Sequence, residues 1–542
     1  MKQAEQHDKF HHYPLPHHQL PTGWALVCID DIAGDVRPGF ASGRHNLTGS
    51  GVPHLRPMNI DRLGRIDMAV TKSVATGQGI ELSAGDVLFN NTNSPELVGK
   101  TTVISKREQG HAFSNHMTRL RVEPGVSPAF VAAQLHFLWM AGYLRQRCTN
   151  HVNQASISSN TLGSSIPLLL PPSQEQSRVA ESVELLMAEL DAGVAELHAA
   201  QRKLTVYRQS VLKAAVAGSL TAGWRNEVRA GDSTGPETGE HLLQRILIER
   251  RARWEATQLA RFKQQGKAPD KDWKSRYAAP MPLDAAVLPS LPDGWAWATL
   301  DQLLCELRGG TPTTSGREVT PFPVLKSSAV RAGVVDFAAV NYLQASQSER
   351  QDNYLAPGDV LITRLSGSID FVGCCAVVGS LPIRGIQYPD RVFCGKLPPS
   401  LQWLGDWLVI CFAGAHVRRR IELATKSGAG HKRISLGDLH PMPIPLPPPA
   451  EIAQLIMQTN ERLQSIALLA ADVERGLRLA AAQRRNLLKC AFSGQLVPQD
   501  PADEPASVLL ARIQAARAAQ AAAQAPKSRP RPSASRTRTP AC

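Results

Sequence analysis

Pro171-Pro172-Ser173-Gln174-Glu175 opens a stretch that closes on Leu212-Lys213-Ala214-Ala215-Val216-Ala217-Gly218-Ser219-Leu220. Far downstream the chain repeats it, from Pro447-Pro448-Pro449-Ala450-Glu451 to Leu488-Lys489-Cys490-Ala491-Phe492-Ser493-Gly494-Gln495-Leu496. Pro171 and Pro447, Glu175 and Glu451, Lys213 and Lys489, Gly218 and Gly494, and Leu220 and Leu496 are each 276 residues apart. Within the first copy, Val179, Val183, Leu186, Leu190, Val194, Leu197, Leu204 and Val211 step mostly by three or four, which places them on one face of a helix. The second copy supplies Leu455, Leu463, Ile466, Val473, Leu477 and Leu487, more diluted with alanine. At about 1.5 Å per residue each helix runs on the order of 65 Å. Each has a single apolar seam, so the economical arrangement buries the two seams together as an antiparallel coiled coil. An ordinary core helix is the plainer alternative; the length and the strict register argue against it.

Working outward, a second repeat flanks the helices. Leu20-Pro21-Thr22-Gly23-Trp24 leads into Ile29-Asp30-Asp31-Ile32, and Leu291-Pro292-Asp293-Gly294-Trp295 leads into Leu300-Asp301-Gln302-Leu303. Pro-x-Gly is a turn signal, and the tryptophan after it starts a new core. Val52-Pro53-His54-Leu55-Arg56 matches Phe322-Pro323-Val324-Leu325-Lys326, and Ala84-Gly85-Asp86-Val87-Leu88 matches Pro357-Gly358-Asp359-Val360-Leu361. Short apolar runs between Gly/Asn/Asp turns, with helical segments at 128–146 and 401–424, indicate mixed α/β domains. Offsets here drift between 269 and 273, so insertions are tolerated in the domains and not in the helices. Ile166-Pro167 and Met442-Pro443 each lead into a proline-rich elbow that stiffens the entry to a helix, and Glu175 or Glu451 sits favourably in its first turn.

The predicted order is a disordered leader (1–19), a globular domain (20–170), a helix (171–221), a connector with a charged helix (222–290), a second globular domain (291–446), a second helix (447–497), and a short helix with a disordered basic tail (498–542). In the connector, Leu242, Leu243 and Ile246 fall on one helical face, and Leu509, Leu510 and Ile513 repeat that start near the end of the chain.

A chain of 542 residues exceeds one core, and 43% hydrophobic content suffices for several. The formal charge of +13 points towards polyanions, but six of those charges (Arg517, Lys527, Arg529, Arg531, Arg536 and Arg538) lie in the acid-free stretch after Ala516. The nine cysteines contain no CxxC pair, so neither a disulfide framework nor a zinc site follows. His7, His11, His12, His17 and His18 belong to a solvated leader. No signal peptide or membrane-length apolar run is visible, which implies a cytoplasmic protein.

The Leu-Pro-x-Gly-Trp openings, the Gly-Asp-Val-Leu turns, the proline-rich entries with Glu175 and Glu451, and the Leu-Lys-x-Ala-x-x-Gly-x-Leu endings together resemble the specificity subunit of type I restriction–modification enzymes. The connector, with Arg250-Arg251-Ala252-Arg253-Trp254-Glu255 and Lys274-Ser275-Arg276-Tyr277, resembles that family too, and the likeness covers roughly 20–515. It implies that 20–170 and 291–446 are target recognition domains, each reading one half of a bipartite, asymmetric double-stranded DNA sequence. The paired helices would then set the gap and dock two methyltransferase subunits. Restriction subunits that hydrolyse ATP, translocate DNA and cut would join the complex, a defence against foreign DNA. S-adenosylmethionine, ATP and Mg²⁺ would belong to the partners, with no cofactor or metal in this chain.

The residues are silent on chemistry. An amino-methyltransferase needs a cofactor-binding glycine turn and an Asn/Asp-Pro-Pro-aromatic segment, and neither is present. Gly99-Lys100-Thr101 ends like a phosphate-binding loop, but Ser94 stands where that loop requires glycine. Pro389-Asp390 begins like a nuclease motif, yet Cys394 replaces the acid two places before Lys396; Asp270, Asp272 and Lys274 are spaced too tightly for a two-carboxylate metal site. For DNA reading, polar loops after the equivalent Gly-Asp-Val-Leu strands are the candidates: Asn90, Asn91 and Asn93 in the first domain, Arg364 and Ser366 in the second. Amides bond adenine and arginine bonds guanine in the major groove. Lys426, His431, Lys432 and Arg433 form a basic stretch apt for phosphate contact, with Asn153 and Gln154 in the corresponding place of the first domain. Ordinary solvated turns are the plain alternative for all of them. Two other function classes stay open: a self-sufficient nuclease or methyltransferase with unfamiliar motifs, and a coiled-coil scaffold whose domains bind protein.

Overall fold

A computed structural model describes residues 10–43, 46–152, 154–231, 237–283, 288–310, 315–316, 318–343, 353–428 and 430–524. The chain forms two compact units, residues 1–197 with 474–542 and residues 198–473. Two helices of 44 residues, Ser173–Val216 and Pro449–Phe492, contribute to both units.

In the first unit a four-stranded antiparallel sheet takes the order Ala33–Pro38, Met117–Val122, Val87–Asn90, Thr101–Val103. Alternation along a strand sends successive side chains to opposite faces. Val87 and Phe89 accordingly join the main core, while Leu88 joins a smaller one with Leu55, Ile60, Leu82 and Phe113. Helix Pro128–Met140 covers the main-core face. Pro128 preset its first turn, and Ser127 Oγ accepts from the Phe130 N–H at 3.3 Å. It stops short of the expected 146 because Gly142 takes φ +79°, after which a 3-10 turn, Leu144–Arg147, follows.

The second unit repeats the sheet as Glu306–Gly309, Val392–Lys396, Val360–Thr363, Cys375–Val377. The helix expected over 401–424 is two helices, Leu404–Ala413 and Ala415–Ala424, with Gly414 in extended conformation between them.

The proline-rich elbows are strands at their outset. Pro167–Leu170 pairs antiparallel with Ala25–Cys28, and Pro443–Leu446 with Ala296–Thr299. A two-stranded ribbon leaves one edge without partners, so prolines lacking an N–H are accommodated there. The pairing ties each domain's entry to its exit, directly ahead of a long helix.

Each unit locks a domain onto both helices through one tryptophan. Trp24 Nε1 donates to Glu175 Oε1 at 3.1 Å at the start of the first helix, and Trp295 Nε1 donates to Glu451 Oε2 at 2.8 Å at the start of the second. The other side of each indole meets the glycine that ends the opposite helix. Gly494 has φ +71° and packs on Pro21 and Trp24; Gly218 has φ +70° and packs on Pro292 and Trp295. Only glycine combines that left-handed cap with so close an approach. Within the first unit, Arg484 pairs with Asp191 and Leu197 packs on Gly476, so the helical runs are antiparallel.

Of the seam residues, Val179, Val183, Leu455 and Ile466 are buried, whereas Leu186, Leu190, Leu197, Val473 and Leu477 are half-buried. Near their starts the helices are covered by a domain core as well as by each other; further along, a single partner leaves the seam partly open.

Two expectations about the termini need correction. The leader is described from residue 10, and Tyr13 and Leu15 enter the first core, Leu15 at 3% exposure, with the Tyr13 hydroxyl donating to the Pro167 carbonyl at 3.0 Å. These two apolar side chains outweigh the polar histidines around them. His7 and the basic tail beyond Gln524 lie outside the described residues. The last helix, Ala506–Gln524, continues well past Ala516, because its Leu509 and Ile513 anchor it in the first core and alanine sustains helix beyond them. It stands to the first domain as the connector helix Gly239–Gln264 stands to the second. The Ala506 N–H donates to the Gly23 carbonyl and the Gly239 N–H to the Gly294 carbonyl. Arg517 donates to the carbonyl of Ala33, and Arg250 to that of Leu304.

No helix among the described residues is long and apolar enough to cross a membrane.

Candidate nucleic-acid interface

In the second unit three short strands form a separate antiparallel sheet in the order Leu365–Ser366, His431–Arg433, Lys426–Gly428. Ser366 faces Lys432, which faces Ser427; Leu365 faces Arg433, which faces Lys426. The two stretches singled out by sequence, about sixty residues apart, are thereby brought together. Lys426, His431 and Arg433 are exposed, and Ser366 and Lys432 half-buried. Arg364 flanks the sheet in a structural role: its Nη1 donates to the Asp390 carbonyl at 3.1 Å, and its guanidinium lies 5.6 Å from the Phe393 ring. Asp438 lies near Lys426; hydrogen bonds from Ser435 hold its carboxyl below the usual range, with help from the Lys426 charge.

The first unit builds the same small sheet from Thr92–Asn93, Ala155–Ser156 and Thr149–Asn150. Asn93 is half-buried, its Oδ1 accepting from the Ser94 N–H at 2.8 Å, and Gln154 is exposed. Asn153 lies outside the described residues. Asn90 and Asn91 do not belong to this surface, at 0% and 7% exposure. Asn90 Nδ2 donates to the Leu97 carbonyl at 2.8 Å; Asn91 Nδ2 donates to the Asn115 carbonyl at 3.1 Å and to Thr118 Oγ1 at 2.9 Å. Both amides hold the end of the central strand to its neighbours, and turning one towards a base would leave a buried polar group unpaired.

Sequence reasoning passed over Thr149 and Asn150, both exposed on this sheet, His151, exposed just past its strand, and Arg391, exposed in the second unit with its carbonyl bonded to the Arg364 N–H. The repeat could have found the first two, since 149–150 pairs with 155–156 as 426–428 pairs with 431–433.

Elsewhere the chemistry-like segments have structural duties. Lys100 is buried and donates to the carbonyls of Pro57 and Ile60, so Gly99-Lys100-Thr101 offers no phosphate cradle. Asp270 pairs with Arg276, and Lys396 with Asp359. Among the described residues no three or more His, Cys, Asp or Glu side chains gather as a metal ion would require. What the two small sheets offer is hydrogen-bonding side chains for base edges and, in the second unit, cations for phosphate.

No family model matches the chain. It is 25% identical over 527 residues to the type I restriction enzyme EcoKI specificity subunit of Escherichia coli K12, covering 92% of this chain and 97% of that protein. To the StySPI specificity subunit of Salmonella potsdam it is 20% identical over 526 residues, covering 92% and 96%. In fold it is similar to a chain solved in work on complex assembly and conformational transition of a type I R-M system, with TM-score 0.59, 16% identity, and coverage of 89% of this chain and 100% of that one. With the match running across nearly the full length of these relatives, the chain resembles the specificity subunits of type I restriction–modification systems.

Proposed function

We propose that this chain is the DNA-reading subunit of a type I restriction–modification complex and carries out no reaction of its own. Each domain reads one half of a bipartite, asymmetric target. The two long helices, paired as an antiparallel coiled coil, set the gap and dock two methyltransferase subunits, and restriction subunits join the same cytoplasmic assembly. S-adenosylmethionine, ATP and Mg²⁺ act on those partners.

The observation that carries this reading is the small sheet: in each unit, loops distant in sequence and rich in amide, hydroxyl or cationic side chains converge on the same three-stranded arrangement. A scaffold that bound protein would have no need to present such side chains twice in one geometry. Support for the ruler comes from the two helices, equal in length at 44 residues. The test is to replace 291–446 with the second domain of another specificity subunit and map methylated adenines. One half of the target should change. A change in both halves, or in neither, would refute the division of labour, and product formed by the purified chain alone with DNA, Mg²⁺, ATP and S-adenosylmethionine would refute the absence of catalysis.

A further inference from the structure

The two small sheets share a geometry and differ in charge. The strands of the second carry Lys426, Lys432 and Arg433 and no acid; those of the first, Thr92–Asn93, Thr149–Asn150 and Ala155–Ser156, carry no charged residue. The contrast is one of placement. Over 20–165 the balance is 13 basic to 10 acidic residues, net +3, and over 291–440 it is 15 to 13, net +2. The second domain has the smaller excess but concentrates three cations on one small sheet.

That concentration is unfavourable within the protein. Lys426 stands directly opposite Arg433 in the ladder, and like charges in that relation destabilise a strand pair. At the matching position of the first sheet, Thr149 faces Ser156 without conflict. None of Lys426, Lys432 and Arg433 forms an ion pair with a described residue; Asp438 attracts Lys426 from outside ion-pair distance while its Oδ2 accepts from Ser435. An anion bound from outside would relieve the repulsion. Under the reading above, on which this inference rests, that anion is the DNA backbone.

We infer that the two domains hold DNA by different physics. Lys426, Lys432 and Arg433 clamp phosphates at one half-site, whereas Asn93, Asn150 and Gln154 hold the other through neutral hydrogen bonds. The salt dependence of binding therefore resides in the second domain. Each neutralised phosphate contributes a slope of about −0.9 to log affinity against log salt.

The experiment uses the complex of this chain with its methyltransferase subunits and a duplex bearing the sequence that the complex methylates. Affinity is measured between 50 and 200 mM salt. Lys426→Gln/Lys432→Gln/Arg433→Gln is expected to flatten the slope by about 2.7, so that the variant loses roughly 40-fold less affinity over that fourfold range than the unsubstituted complex. Asn93→Ala/Asn150→Ala/Gln154→Ala should weaken binding at every salt concentration with the slope unchanged. Asn150→Lys, which adds a cation to the first sheet, should steepen the slope by about 0.9, an independent test should the triple glutamine variant assemble poorly. An unaltered slope in the glutamine variant, or a flattened one in the alanine variant, overturns the inference. Failure of the unsubstituted complex to bind any duplex overturns the proposed function itself, which separates the two failures.

Discussion

Replacing Glu451 with glutamine is expected to loosen the second unit far more than Glu175→Gln loosens the first. The two glutamates are repeat partners, both buried and both accepting from an indole N–H. Their other neighbours differ. Glu451 is paired with Arg225 and accepts from Thr221 Oγ1 at 2.6 Å. An amide keeps one acceptor but strips Arg225, whose side chain is only 16% exposed, of its counter-charge. Removing one end of a buried ion pair costs about 3–5 kcal/mol; the remaining exposure of Arg225 puts this case near 3. Glu175 forms no ion pair with a described residue, and burial pushes its carboxyl above the ordinary value near 4.5, partly opposed by the Trp24 hydrogen bond. A carboxyl whose pKa is raised on folding holds its proton more tightly in the folded state. Its ionisation therefore opposes folding, and the loss grows as pH rises from about 4.5 through the folded value. At pH 7 Glu175→Gln should be neutral or slightly stabilising, and below pH 4 it should have no effect. Native-state hydrogen exchange resolves the two sockets. About 3 kcal/mol corresponds to roughly 150-fold faster exchange of the amides at 294–299 and 452–459 in Glu451→Gln. The amides at 24–28 and 173–183 in Glu175→Gln should stay within a few-fold of the unsubstituted protein. Equal acceleration in the two variants would refute the assignment of the difference to Arg225.

The first unit should also lose stability in acid. His136 is buried; its Nδ1 accepts from the Thr101 N–H and its Nε2 faces the Arg62 carbonyl, an arrangement that suits the neutral ring. Burial lowers its pKa from 6.5 to about 4, so the unfolded chain binds the extra proton first and stability falls as pH drops from 6.5 through 4, by at most about 3 kcal/mol. His136→Gln should flatten denaturation midpoints across that window. Truncation after residue 505 removes Leu509, Ile513 and Arg517 from the first unit and should sensitise 20–170 to limited proteolysis while 291–446 stays resistant. Each buried aliphatic side chain lost is worth about 1.5–3 kcal/mol. Inserting four residues at facing points of both long helices adds about 6 Å and a turn of about 40°. The mapped target should keep its two halves and change only the gap between them; a changed half with an unchanged gap would mean that the helices are not the ruler.

Periodicity and repetition determined much of this protein without coordinates. A seam stepping by three and four admits one structure over 44 residues, and the constant offset of 276 made the second helix its copy. The Pro-x-Gly-Trp turns likewise announced two domains, because a bulky indole after a turn must find a core. The tertiary structure decided everything that depends on which side of a strand a residue falls. Asn90 and Asn91 look as available as Asn93 in a run of polar residues, yet only the folded chain shows that both are buried, with their Nδ2 groups donating to the carbonyls of Leu97 and Asn115. It also decided what completes the first domain. The helix at Ala506 lies nearly five hundred residues from the Gly23 carbonyl it bonds, and no local pattern encodes a partner so distant. Short-range spacing dictates elements because backbone geometry repeats; long-range pairing is set by the sum of many small contacts, which only the folded chain brings together.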